Sequence, residues 1–70
     1  MTKTAITNKI RRLRFDHGEM TQQELAERIG VSRKTINTIE NGVFVPSTVL
    51  ALKLAKAFDT NVEALFALGD

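Results

Sequence analysis

Hydrogen-bond donors are concentrated in residues 33–41, where the sequence is RKTINTIEN. On a helical wheel of about 100° per residue, Ile36, Ile39 and the stem of Glu40 fall on one face. The other face carries guanidinium, ammonium, amide and hydroxyl groups without a carboxylate, from Arg33, Lys34, Asn37, Thr38 and Asn41, with Thr35 at its edge. Such groups suit the acceptor-rich floor of a DNA major groove and the phosphates along its walls. The pattern therefore predicts a helix that contacts DNA.

Two short helices joined by a tight turn are needed to position these side chains. Thr21 and Glu24 have the spacing of a capping box, so the first of the two helices is expected to begin at about residue 22. Gly30 stands where a left-handed C-terminal cap is wanted, and Ser32 can cap the second helix. Asn41-Gly42 then ends it. Together these signals predict a helix-turn-helix.

The segment TQQELAERIGVSRKTINTIENG, residues 21–42, resembles the phage-repressor and Cro-like helix-turn-helix family. The usual pattern of that family is TQ-x-x-LA-x-x-x-GVS-x-x-x-I-x-x-x-E-x-G. Positions outside the motif that also fit the family's helices 1, 4 and 5 are Ile10, Leu13, Arg14, Pro46-Ser47, Leu54-Ala55 and Leu65-Phe66. The resemblance implies an all-α fold, a compact five-helix bundle of the lambda-repressor-like DNA-binding type, with the helix-turn-helix at helices 2 and 3. Within it, Ser47 and Asn61 are expected to cap helices 4 and 5, and Thr7 or Asn8 to cap helix 1.

The resemblance also implies roles for individual side chains at the DNA. The residues that match the family's base-reading positions are Arg33, Lys34, Asn37 and Thr38. Arg33 would favour guanine, whereas Asn37 could contact adenine or a phosphate. Gln22 matches a position whose amide binds phosphate and supports the first base-reading side chain. Residues expected to hold the DNA backbone are Ser32, Thr35 and Asn41.

A second implied feature is structural. In the family, the arginine that matches Arg14 forms a partly buried ion pair with the glutamate that matches Glu40. This pair would tie helix 1 to the end of the recognition helix. We therefore expect a structural role for Arg14 rather than a contact with DNA.

The loop after the second helix of the motif departs from many relatives, because residues 43–46, VFVP, contain no Lys or Arg. We expect it to pass near the DNA backbone and to offer amide donors at Asn41, Gly42 and Val43. Two roles are open to Phe44. It can contact DNA sugars or a thymine methyl group, or it can fill the core or a dimer contact.

Length and composition point to one small domain spanning residues 1–70. Without cysteine, disulfides and thiolate metal sites are excluded. The first 20 residues hold no continuous apolar run, so neither a signal peptide nor a membrane partner is expected and the cytoplasm is the default location.

Charge is uneven: residues 1–41 hold eight Lys or Arg against five Asp or Glu, and residues 42–70 hold two against three. The basic part includes the predicted recognition helix, which suits a polyanionic partner.

An enzymatic constellation is missing from the sequence. There is one histidine, no cysteine, and two serines that both have the pattern of helix caps. A phosphate-binding glycine loop is also absent. We therefore predict that the protein is not an enzyme and uses no cofactor, metal ion or small-molecule ligand.

Apolar residues near the C-terminal end exceed what five short helices can bury, which is more often a subunit contact than a ligand site. We predict a homodimer on a near-palindromic operator. Its contact would draw on Leu65, Phe66 and Leu68, with Leu50 or Phe44 as further contributors.

The function predicted from the sequence is a sequence-specific, double-stranded-DNA-binding transcriptional regulator. With no effector domain, it would repress by occupying its operator. One alternative is a DNA-binding antitoxin, which would also inhibit a partner protein. The other is a helical protein-interaction module that does not bind DNA, although the presence of Gln22, Arg33 and Asn41 argues against it.

Overall fold

The computed structural model describes residues 6–69. Within them lie five helices, as predicted: α1 (Ile10–Asp16), α2 (Gln22–Ile29), α3 (Arg33–Glu40), α4 (Thr48–Ala57) and α5 (Val62–Leu65). Two short strands, β1 (Ile6–Asn8) and β2 (Phe66–Leu68), pair in antiparallel fashion. In their register Ile6 lies opposite Leu68, and Asn8 lies opposite Phe66.

The predicted five-helix fold is confirmed, and the strands add a small sheet at the two ends of the described residues. Phe66, which was expected to fit helix 5, ends that helix and begins β2 with an extended backbone. Helix 1 begins only at Ile10, and its N-cap position is Lys9 rather than Thr7 or Asn8. The backbone amide of Lys9 donates to the carbonyl oxygen of Leu65 at 2.8 Å, so the sheet joins the two ends of the described chain.

The capping box at the start of α2 is present as predicted. The Glu24 amide donates to the Thr21 hydroxyl oxygen at 3.0 Å, and the Thr21 amide donates to the Glu24 carboxylate at 2.8 Å. The bond from the Thr21 amide, followed by the interaction of the carboxylate with the Thr21 hydroxyl, lowers the pKa of Glu24 below its ordinary value. Because these interactions favour the charged carboxylate, they stabilise the folded state at pH values above the pKa that Glu24 has in the unfolded state. Their contribution is lost as pH falls through the lowered pKa of the folded state.

Three further predicted caps are confirmed. Ser32 accepts from the Thr35 amide at 3.2 Å, and Ser47 accepts from the Leu50 amide at 3.2 Å. Asn61 accepts from the amide of Ala64 at 2.8 Å. Each such cap satisfies a backbone donor that the helix leaves free, and is typically worth about 1 kcal/mol.

One hydrophobic core lies beneath these elements. Its largest fully buried side chains are Ile10, Leu25, Ile36, Ile39, Leu54 and Leu65. Ile36 and Ile39 are the inward face of α3, and their burial fixes the rotation of that helix about its axis. The opposite face of α3 is thereby held toward solvent.

Within residues 6–69, no helix is long and apolar enough to cross a membrane. The same residues contain no group of three or more His, Asp or Glu side chains placed to hold a metal ion. His17 is exposed, and its Nδ1 lies 2.8 Å from the carbonyl oxygen of Leu13.

Candidate nucleic-acid interface

The turn between α2 and α3 sets the position of the recognition helix. Gly30 ends α2 in the left-handed conformation with φ of 76°, which glycine adopts without the steric cost of a Cβ atom. The amide of Val31 donates to Ala26 at 2.9 Å and closes the end of α2. Ser32 then caps α3 immediately, so α3 begins within four residues of the end of α2. This is the geometry of a helix-turn-helix.

The outward face of α3 carries charge without a counterion. Arg33, Lys34 and Asn37 are exposed and line an open polar concavity of about 340 Å³. Neither of the two salt bridges found among residues 6–69 includes Arg33 or Lys34. We call Arg33, Lys34, Asn37, Thr38 and Asn41 the recognition face. Its two cations are available to acceptors on another molecule.

Asn37 is oriented by its neighbour one turn along the recognition face. The Asn41 side-chain amide donates to the Asn37 side-chain oxygen at 3.2 Å. The Asn37 NH₂ group stays free to donate, and its oxygen keeps a second acceptor position. A forked donor and acceptor of this kind matches the major-groove edge of adenine.

The ion pair implied for Arg14 and Glu40 is confirmed and is bidentate. Arg14 Nε donates to Glu40 Oε2 at 2.7 Å, and Arg14 Nη2 donates to Oε1 at 2.9 Å. The Arg14 side chain is 14% exposed and that of Glu40 is 6% exposed. A third nitrogen of Arg14 donates to the Met20 carbonyl oxygen at 2.8 Å, and Gln22 Nε2 donates to Glu40 Oε1 at 3.2 Å. The network joins α1, the start of α2 and the end of α3.

Asn8 is a second anchor of α3, and the sequence interpretation missed it. Its side-chain amide donates to the carbonyl oxygens of Ile39 at 3.0 Å and Glu40 at 3.4 Å. Its side-chain oxygen accepts from the Ile10 amide at 3.3 Å. Because the last carbonyls of a helix have no partner within it, Asn8 caps the C-terminal end of α3 from strand β1. An asparagine some 31 residues away gives no local signal of this role.

Comparison with known proteins agrees with this geometry. A family model described as helix-turn-helix matches residues 10–65. An uncharacterized HTH-type transcriptional regulator of Bacillus subtilis, YgzD, is 46% identical over 61 residues, covering 87% of this chain and 91% of that protein. The chain belongs to the helix-turn-helix family. Its predicted resemblance to the Cro-like members is thus confirmed.

Archaeal relatives extend the similarity. An uncharacterized HTH-type transcriptional regulator of Archaeoglobus fulgidus is 45% identical, with 89% of this chain and 87% of that protein covered. Another, from Methanocaldococcus jannaschii, is 44% identical, with 90% and 94% covered. Among solved structures, a Bacteroides fragilis protein superposes with a TM-score of 0.76 at 24% identity, covering 89% of this chain and 98% of that one. That likeness concerns the fold.

The loop after α3 corrects one prediction for this helix-turn-helix protein. The amides expected to bind the DNA backbone are already bonded within the chain: that of Asn41 donates to Asn37 at 3.1 Å, that of Gly42 to Ile39 at 3.0 Å, and that of Val43 to Thr38 at 3.0 Å. These bonds complete the last turn of α3. Gly42 and Val43 are therefore not free donors. What the loop exposes is apolar side chain.

Hydroxyl groups at the start of α3 are also partly engaged. The hydroxyl oxygens of Ser32 and Thr35 lie 3.0 Å apart, so one of the two protons is used between them. Thr38 is half-buried, and its hydroxyl donates to the Thr35 carbonyl oxygen at 3.0 Å. What Thr38 leaves for another molecule is therefore its methyl group and a hydroxyl lone pair, not a donor.

Gln22 lies at the first position of α2, as the family resemblance implies. Its side chain is not reserved for the phosphate contact that the resemblance implies. Its side-chain amide already donates one hydrogen to Glu40. One hydrogen of the NH₂ group remains for a phosphate. A substitution of Gln22 therefore also touches the network that holds α3.

The residues predicted to form the dimer contact fall in different environments. Leu65 is fully buried in the core, which removes its side chain from any contact between protomers. Phe66 is half-buried and packs against the core. Leu68 is 71% exposed at the end of β2. Leu50 is half-buried against the core, and Phe44 lies in the loop beside α3.

Proposed function

We propose that this protein is a cytoplasmic transcriptional repressor that binds a specific double-stranded DNA site. The observation that carries the proposal is the recognition face of α3. Arg33 and Lys34 are exposed there beside Asn37 and form no salt bridge among residues 6–69, on a helix anchored at both ends. Relatives at 44–46% identity are named HTH-type transcriptional regulators, which supports the same class.

The proposed contacts follow from the position of each group. Arg33 and Lys34 lie in the first turn of α3, where a recognition helix brings side chains onto base edges. Asn37 lies one turn on and offers both a donor and an acceptor to adenine. Groups proposed to contact phosphates are those of Gln22, Ser32, Thr35 and Asn41. Those contacts position the protein, and the base contacts select the sequence.

Repression by occupancy is the proposed mode of action. The described residues build the helix-turn-helix and the helices that hold it. In this mode the protein covers DNA that polymerase or an activator needs. No step in this mode requires a cofactor or a small molecule.

We further propose that the protein binds as a homodimer, because one helix-turn-helix contacts only a few base pairs. Two copies related by a dyad contact half-sites about 34 Å apart on one side of the duplex. A surface for this contact is an apolar groove of about 220 Å³, lined by Ile6, Val45, Pro46, Thr48, Ala51, Leu52, Val62 and Phe66. Leu68 lies opposite Ile6 in the sheet and extends the same apolar surface.

Replacing Leu68 with glutamate is expected to convert the dimer to a monomer and to weaken operator binding, because a charge then faces its own copy across the dyad. Phe15→Glu is the matched control, since Phe15 is similarly exposed but does not line the groove. Sedimentation of both variants, free and with operator duplex, measures the effect. A wild-type protein that sediments as a monomer both free and on DNA would contradict the homodimer.

The proposed function itself is tested by selecting bound duplexes from a random pool. We expect enrichment of one near-palindromic sequence, whose half-site centres lie about 10 base pairs apart. Placed between a promoter and a reporter gene, that sequence should lower expression when the protein is present. A pool that shows no enrichment would favour a protein-interaction module and overturn the proposal.

A further inference from the structure

An apolar concavity lies beside the charged part of the recognition face. It is open, has a volume of about 370 Å³, and is lined by Ser32, Lys34, Thr35, Thr38, Val43 and Phe44. Lys34 also lines the polar concavity, so it stands between the two. The surface that α3 and its loop present is therefore divided into a part rich in donors and a part rich in methyl groups and aromatic carbon.

The threonines of this concavity have turned their hydroxyls to local partners. Thr38 donates its hydroxyl to the Thr35 carbonyl oxygen, and the Thr35 hydroxyl lies 3.0 Å from that of Ser32. With its hydroxyl bonded to the helix backbone, Thr38 contributes its methyl group to the concavity. Thr35 contributes its methyl group as well, while its hydroxyl, paired with that of Ser32, stays the group proposed to contact phosphate.

The loop wall of the concavity is held in place by the backbone. The amides of Val43 and Phe44 both donate to the carbonyl oxygen of Thr38, at 3.0 and 3.2 Å. Their side chains are nevertheless 78% and 46% exposed. Neither belongs to the core or packs against it. Among residues 6–69, two apolar side chains thus lie next to a cationic surface without packing against the core.

We propose that this concavity is a site specific for thymine, an inference that rests on the proposed function. Thymine alone among the four DNA bases presents a methyl group in the major groove, and its O4 acceptor lies next to that methyl. Thr35, Thr38, Val43 and Phe44 take the methyl group, while the Lys34 ammonium donates to O4. Cytosine lacks the methyl group and presents an amino donor in place of O4. The Lys34 ammonium is also a donor, so it finds no acceptor at that position.

The site makes the loop after α3 a determinant of sequence specificity. The amides of Gly42, Val43 and Phe44 are used within the chain, so what these residues offer to DNA is carbon rather than backbone donors. Each operator half-site should accordingly contain a thymine at one fixed position.

The test uses the duplex selected from the random pool, with each thymine replaced in turn by deoxyuridine. This exchange removes the methyl group and leaves base pairing and O4 unchanged. One position per half-site should lose about fourfold in affinity, the effect expected from one buried methyl group. The double variant Val43→Ala/Phe44→Ala should bind the thymine duplex more weakly and lose the difference between thymine and uracil. Since both side chains are exposed, it should remain folded.

Val49→Ala is the matched control, because Val49 is exposed on α4 and does not line the concavity. It should keep the thymine preference of the wild type. The thymine site would be overturned if every uracil duplex bound with the same affinity as the thymine duplex, or if the preference for thymine persisted in the double variant. Either result would leave the proposed function intact. Failure to select any duplex would overturn both.

Discussion

Replacing Glu40 with alanine is expected to lower the free energy of unfolding by about 3–5 kcal/mol, the range for removing one partner of a buried ion pair. The Arg14 guanidinium would keep its burial and lose both bonds to the carboxylate. Gln22 would lose its acceptor as well. Small domains can have a total stability of only about 5 kcal/mol, so the variant should be close to unfolded at room temperature.

Glu27→Ala is the matched control for this prediction. Glu27 is an exposed carboxylate on α2, and its bond is to Gln23 at 3.0 Å within the same helix. A pair of this kind contributes only a few tenths of a kcal/mol, roughly. Urea or thermal unfolding followed by circular dichroism compares the two variants directly. Similar, small shifts in both would show that the Arg14 to Glu40 pair does not hold the fold together.

Local signals allowed the helix-turn-helix to be predicted from the sequence. Helix caps act over three or four residues, so Thr21, Ser32 and Ser47 could be assigned from their immediate neighbours. Gly30 was equally clear, because a left-handed helix end strongly favours glycine. The burial of Ile36 and Ile39 followed from helical periodicity, which also fixed the exposed face of α3.

Contacts between distant segments could not be predicted in this way. Strands β1 and β2 contain three residues each and are far apart in sequence, so neither shows a period-two pattern long enough to detect. The role of Asn8 depends on that sheet, because the pairing places it beside the end of α3. Leu65 was assigned to a dimer contact, yet the sheet and α4 leave it in the core.

The ion pair between Arg14 and Glu40 is a different case. Two charged residues 26 positions apart have no spacing that predicts a contact. Only the family resemblance implied the pair, and the structure supplied its bidentate geometry and the additional bond from Gln22. The loop amides show the opposite outcome, since they were expected to be free donors and this chain uses them to end α3.

Replacing Arg33 with alanine is expected to remove most of the discrimination at one base pair of each half-site. A bidentate contact from arginine to guanine is worth about 1–3 kcal/mol of discrimination. Affinity for the operator should therefore fall much more than affinity for random DNA. Because Arg33 is exposed and bonds to no side chain among residues 6–69, the fold should not be disturbed.

Two controls separate sequence recognition from general affinity. Lys53→Ala removes one positive charge from an exposed site on α4, outside the recognition face, and should leave the preference for operator unchanged. Gln22→Ala should weaken binding to operator and to random DNA by similar factors, because a phosphate contact carries no sequence information. The folding of that variant must be verified, since Gln22 also donates to Glu40.

The deciding measurement is the ratio of the dissociation constant for a random duplex to that for the selected operator, at one fixed ionic strength. For the wild type we expect a ratio of about 10³ or more. Arg33→Ala should lower it by roughly 5- to 150-fold for each half-site bound, the equivalent of about 1–3 kcal/mol per contact. Lys53→Ala should leave it unchanged. A ratio that Arg33→Ala does not alter, in a variant that remains folded, would contradict the assignment of base recognition to the first turn of α3.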